Sequence, residues 1–204
     1  MLVVGLTGSI GMGKSTIAQR FRETGIAVFD ADAEVHRLYA AEAVPFIEAA
    51  FPGTTKDGQV DRDKLAAVLI AAPHRFAELE AVVHPMVQAA ERAFLRAEAA
   101  RGARLAVLEV PLLFATGTDA KVDVVIVASA TREVQQARVL ARAGMTPDKL
   151  DRLLERQVPD AEQRQRADFV VDTSGTFAEN NAQIDAIIAR LEGRSGGAYN
   201  RHWA

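Results

Sequence analysis

Residues Gly8 to Thr16 read GSIGMGKST and follow directly on the apolar run Leu2-Val3-Val4-Gly5-Leu6. This is the phosphate-loop pattern of glycine, four residues, then glycine, lysine and a hydroxyl residue, set between a strand and a helix. Gly8, Gly11 and Gly13 admit backbone angles that side chains close off. A chain curled in this way turns successive N–H groups inward as an anion nest, and the positive end of the following helix strengthens it. Lys14 is expected to reach the outer phosphates of a nucleoside triphosphate, and Ser15 to place its hydroxyl on a magnesium ion. Thr16 starts the helix beside the inner phosphate. The Met12 side chain is free to point away from the phosphates while its backbone joins the nest.

Outward from the loop, β-rich apolar runs alternate with helical periodicity, the pattern of a mostly parallel sheet covered on both faces. Ile17, Ala18 and Phe21 recur at helical spacing until Gly25, and Ile26-Ala27-Val28-Phe29 reads as a second strand. Arg104 to Val110, Val122 to Ala128 and Asp168 to Val171 read as three more. Thr131 opens one helix, Thr146-Pro147 supplies a cap and first-turn proline for another, Asp160 with Gln163 resembles a capping box, and 176–192 closes the fold. The expected class is α/β, a three-layer α/β/α phosphate-loop fold with a five-stranded sheet.

The expected nucleotide-binding core comprises 1–32 and 103–192, with a helical lid over about 131–167. Between its halves, 33–102 shows helix signals and no strand, and Pro45, Pro52-Gly53, Asp57-Gly58, Pro73 and Pro85 punctuate it. It reads as a helical insertion, with Asp61 capping the helix that carries Leu65, Val68 and Leu69. The end of the chain, 193–204, is glycine-rich and aperiodic and reads as a flexible tail in which Trp203 alone is suited to dock.

The 204 residues, 49% of them hydrophobic, suffice for a large core. A net charge of −3 argues against a broad footprint for nucleic acid, and the absence of cysteine removes disulfides, thiolate metal sites and a cysteine nucleophile. No apolar run approaches the roughly 20 residues that span a bilayer, so a cytoplasmic location is expected.

Ligands of open parallel sheets bind beyond the carboxyl ends of the strands, where the loop and Asp30-Ala31-Asp32 both fall. Transfer of a phosphoryl group to an alcohol needs an acceptor for the hydroxyl proton, and an aspartate near magnesium suits that task. One aspartate of the pair is free to serve as base while the other caps the next helix.

GLTGSIGMGKST, a strand ending in DAD, His84-Pro85, VPLL at Val110 to Leu113, and QxxR with a further arginine at Gln135 to Arg142 occur in an order that resembles the dephospho-CoA kinase family. The likeness runs from about residue 3 to residue 175. It implies ATP-dependent phosphorylation of the ribose 3′-hydroxyl of dephospho-CoA, the last step in making coenzyme A, with magnesium as cofactor and no obligatory nucleic-acid, membrane or protein partner. By position it implies Asp32 as general base and acceptor contact, with Asp30 supporting it or the metal shell through water. It implies Lys14 and Arg138 as catalytic cations, and an ATP site of Gly8, Gly11, Met12, Gly13, Lys14, Ser15, Thr16 and Arg142. His84, Pro111, Leu112 and Leu113 become acceptor contacts, 33–102 a CoA-binding insertion, and Arg156-Gln157 part of the lid pattern.

Other readings of these residues stand beside that one. Arg138 and Arg142 lie one turn apart and suit a solvated face paired with Glu133 or Asp148, His84 suits a turn before proline, and VPLL suits plain core. Asp172 stands where the family usually has asparagine, near the adenine, and Glu109 is either a metal-side acid or a packed one. A kinase for another small acceptor is the alternative on the same scaffold. A nucleotide-dependent switch fits less well, because DxxG at Asp172 to Gly175 falls late in the chain and no NKxD follows.

Overall fold

The computed structural model describes residues 1–155 and 157–204, so Arg156 of the expected lid pattern lies outside the described residues. The chain divides into one unit of Met1–Phe29 with Leu95–Ala204 and another of Asp30–Phe94. The divisions fall a few residues before those drawn from sequence, because β2 (Ala27–Asp30) ends at the first aspartate of DAD and α5 (Phe76–Ala100) runs unbroken past Leu95.

The first unit is a parallel sheet in the order β2-β5-β1-β6-β7, flanked by helices. Its central strand is β1 (Leu2–Thr7), with β5 (Leu105–Glu109) on one side and β6 (Val124–Ser129) on the other; β7 (Phe169–Asp172) lies beyond β6. Val4 pairs with Val107 and with Val124, so the middle of β1 is the middle of the sheet. Every residue of β1 and β6 is buried, as expected of parallel strands covered on both faces. Ile17 and Phe21 of α1 (Lys14–Glu23) and Ile184, Ile187 and Leu191 of α9 (Phe177–Leu191) pack into the same core. Thr176 and Glu179 form a reciprocal capping box at the start of α9. The phosphate loop therefore leaves the best-buried strand of the sheet at its carboxyl edge.

The second unit holds α2 (Ala31–Tyr39), α3 (Val44–Ala50), α4 (Arg62–Ala71) and the first turns of α5 around Leu38, Ile47, Phe51, Leu65, Leu69 and Val83. Asp61 caps α4 by accepting from Lys64 N–H at 3.1 Å, as expected. The insertion is not wholly helical, however, because β3 (Thr55–Lys56) and β4 (Gln59–Val60) form an antiparallel hairpin. Its two-residue turn is Asp57-Gly58 with φ of 51° and 75°, the turn chemistry that matches strand twist. The strands are too short for an alternating pattern to register in the sequence. Glu48 fastens the hairpin to α3, accepting from Gly53 N–H at 2.8 Å and from the Thr55 hydroxyl at 2.6 Å.

The last residues are docked, not loose. Trp203 is 3% exposed, and its indole N–H donates to the Lys121 carbonyl at 2.8 Å. Asp123, just ahead of β6, accepts from Val3 N–H through one oxygen and from the Gly197 and Ala198 N–H groups through the other. A side chain at Gly196 would collide with Asp123 and with the Leu2 backbone, so the glycines that made this segment look mobile permit its close approach.

Candidate active site

In the phosphate loop Gly11 and Gly13 sit at φ of 80° and 82°. A Cβ on Gly11 would lie 2.5 Å from Val139 Cγ2, and one on Gly13 2.8 Å from Thr173 Oγ1. Both positions thus require glycine for conformation and for space. Gly13 is the N-cap of α1, no side chain caps that helix, and its first turn holds no acid. The positive helix end with its N–H groups is therefore left to an anion. The Lys14 ammonium donates to Glu109 Oε1 at 2.7 Å, and Arg22 approaches the other oxygen at 3.4 Å. Glu109 is 2% exposed at the end of β5 and holds two cations beside the loop. Ser15 is exposed, and Met12 turns into the core, where its sulfur accepts from Ala130 N–H at 3.1 Å.

The helical segment beside the loop comprises α6 (Arg132–Leu140), α7 (Pro147–Glu155) and α8 (Asp160–Arg166). Arg138 of α6 donates to the Thr173 carbonyl at 2.6 Å and hydroxyl at 3.0 Å, and approaches the Gly11 carbonyl at 3.4 Å. It braces the back of the loop against the segment after β7. Arg142 is exposed and its guanidinium has no partner among the described residues. Neither arginine pairs with Glu133 or Asp148 there. The capping-box expectation for Asp160 and Gln163 fails because Pro159 is the N-cap of α8; Gln163 instead donates to the Ser9 hydroxyl at 2.9 Å and to the Val158 carbonyl at 2.7 Å.

Asp30 caps α2, its side chain accepting from Ala33 N–H at 3.0 Å. Asp32 follows in the first turn of α2 with its side chain exposed, so the pair divides into a cap and an available carboxylate. Pro111 and Leu112 are partly exposed after β5, with Thr7 donating to the Pro111 carbonyl at 3.2 Å. Leu113 is a correction: it is fully buried, and a Cβ at Gly5 would stand 3.0 Å from its side chain, so it fills the core under β1 and offers no surface to an acceptor. His84 is partly exposed within α5, which runs through Pro85, so no turn precedes the proline.

Asp172 turns back on its own chain. Its carboxylate accepts from Ser174 N–H at 2.9 Å, and that bond, with the Ser174 hydroxyl, holds the carboxyl below the usual carboxylate range. Two residues escaped sequence reasoning. Thr173 is 1% exposed and donates to the Met12 carbonyl at 2.8 Å, yet in the sequence it appears only inside a loose DxxG pattern. Gln163 carried a signal that suggested a helix cap.

Fold and loop together define a phosphate-loop kinase. The family model described as dephospho-CoA kinase matches residues 2–179, and a Rhizobium etli protein named dephospho-CoA kinase is 54% identical over 95% of this chain and 96% of its own. The chain belongs to the dephospho-CoA kinase family. The crystal structure of a Thermus thermophilus protein superposes with a TM-score of 0.80 at 34% identity, covering 94% of this chain and 98% of that one. A dephospho-CoA kinase from Campylobacter jejuni, at 20% identity and a TM-score of 0.63 over 93% of this chain and 96% of its own, shares the fold.

Proposed function

We infer that the chain transfers the terminal phosphoryl group of ATP to the ribose 3′-hydroxyl of dephospho-CoA, giving coenzyme A and ADP. The observation that carries this reading is the open N-terminus of α1 with Lys14 beside it, in a chain whose family match spans residues 2–179. Lys14 exchanges Glu109 for the outer phosphates, since a charge-assisted bond to phosphate replaces one to carboxylate at small net cost. The loop N–H groups hold the inner phosphates. Asp32 takes the 3′-hydroxyl proton, and Arg142, exposed and with its guanidinium unpartnered among the described residues, meets charge developing on the transferring group. Arg138 sets the loop and the Thr173 segment from behind, and its catalytic share is exerted through that bracing. His84, Pro111 and Leu112 contribute to acceptor binding; Leu113 supports them from the core.

The Ser15 hydroxyl, exposed in the first turn of α1, would hold a magnesium ion, with Asp30 or Asp32 acting through water as the family resemblance implies. Such an ion would supply neutralisation of phosphate charge. Among the described residues no helix is long and apolar enough to cross a membrane.

The test is to incubate the chain with magnesium-ATP and dephospho-CoA and look for coenzyme A and ADP by mass spectrometry. Equal amounts of both are expected. Asp32→Asn should keep ATP affinity and lower turnover by roughly 100-fold to 10,000-fold, the scale of an acid or base group. ADP without coenzyme A would move the reading to another acceptor, and near-normal turnover of Asp32→Asn would move the base role elsewhere.

A further inference from the structure

Ile10, at the tip of the phosphate loop, has both of its backbone polar groups taken by glutamine side chains. Its N–H donates to Gln157 Oε1 at 3.1 Å, and its carbonyl accepts from Gln135 Nε2 at 2.8 Å. Ser9, one residue earlier, accepts from Gln163 Nε2 at 2.9 Å. The three glutamines come from α6, from the stretch between α7 and α8, and from α8, so the segment is tied at three separate points to two adjacent loop residues. Gln135 and Gln163 are 5% and 3% exposed, which fixes their amides in place.

We propose that Gln157, with Gln135 opposite it across the Ile10 peptide, is a positioning residue that registers the helical segment on the phosphate loop for phosphoryl transfer. The residue type supports this. At an anion-binding loop, the partner of an N–H must accept without negative charge, and the partner of a carbonyl must donate without a competing cation. A carboxamide does either as a neutral group, whereas glutamate beside the loop would repel the nucleotide and lysine would draw its phosphates away. Register matters because a displacement of about 1 Å at a reacting centre costs about 100-fold in rate. It also matters because a segment that seats loosely admits water as a competing acceptor.

This proposal rests on the kinase reading above, and the experiment separates the two. Wild type, Gln157→Met and Gln157→Glu are compared for turnover, for KM of ATP, for ADP released per coenzyme A formed, for ATP affinity by calorimetry without acceptor, and for Tm. Methionine keeps the length and loses the acceptor, so turnover should fall roughly 10-fold to 100-fold with KM for ATP changed less than about threefold. ADP per coenzyme A should rise above one. Glutamate keeps the acceptor, so its ratio should stay near one while ATP affinity falls about tenfold or more through like-charge repulsion. A methionine variant with wild-type turnover and ratio overturns the proposal. So does one whose turnover falls only together with Tm, at an unchanged ratio, since that is a purely structural role. Coenzyme A from wild type reports on the kinase reading independently of either variant.

Discussion

Glu109 is nearly inaccessible, faces Lys14 at 2.7 Å and Arg22 at 3.4 Å, and shows how much one side chain decides at the loop. The sequence left its role open between a metal-side acid and a packed one. In the structure it is the counter-charge to Lys14 and Arg22. Glu109→Gln removes a buried charge from beneath two cations, and leaving such cations uncompensated costs on the order of 3–5 kcal/mol when burial is complete. Lys14 is partly exposed and Arg22 exposed, so water compensates much of that and about 1–3 kcal/mol is expected, read as a lowered urea midpoint at unchanged slope. A variant as stable as wild type would show that water compensates Lys14 unaided.

At the scale of elements, the link between β7 and α9 shows how a short segment is set by its surroundings. Gln183 of α9 bonds both the N–H and the carbonyl of Asp172, Arg138 of α6 holds Thr173, and Asp172 closes on Ser174. The Asp172 carboxylate, expected near the adenine, is committed to its own turn. Asp172→Asn keeps an acceptor for Ser174 N–H, so the preference for ATP over GTP should change less than about twofold in competition binding. The pH dependence should change in a definite direction. Because the folded carboxyl titrates below its usual value of about 3.9, its stabilisation is complete above that value and is lost as pH falls through the folded one. Asparagine removes this contribution, so acid unfolding of the variant should be less steep below about pH 4. A large shift in base preference would return Asp172 to the nucleotide site.

Across the whole first unit, the docked C-terminal segment lies at the amino ends of the strands, where Asp123 joins Val3 to Gly197 and Ala198, and the phosphate loop lies at the carboxyl ends. Trp203→Ala removes a buried indole and its bond to the Lys121 carbonyl. Large core truncations cost about 3–5 kcal/mol, which for a chain of this size lowers Tm by roughly 6–20 °C at about 2–4 °C for each kcal/mol. KM for ATP should stay within about twofold, because the loop stands on the opposite edge of the sheet. A Trp203→Ala protein with wild-type Tm would return these residues to the status of a loose tail.

What the sequence determined by itself is whatever depends on local chain chemistry. The glycine spacing with Lys14 and Ser15, the strand and helix periods, the Asp61 cap and the Asp30-Ala31-Asp32 turn into α2 all act within a few residues of themselves. The ordered motifs carried the family on the same terms. Other features became visible only through tertiary structure, because they depend on residues far apart in the chain. Gln163 and Thr173 reach the loop across about 150–160 positions, and Asp123 meets Val3, Gly197 and Ala198 only when β1 and β6 lie side by side. Leu113 is a core residue because Gly5 leaves it room on the neighbouring strand. A polar side chain in a sequence declares its donors and acceptors, but which distant backbone group satisfies them is decided by the packing that brings the two together and removes them from water.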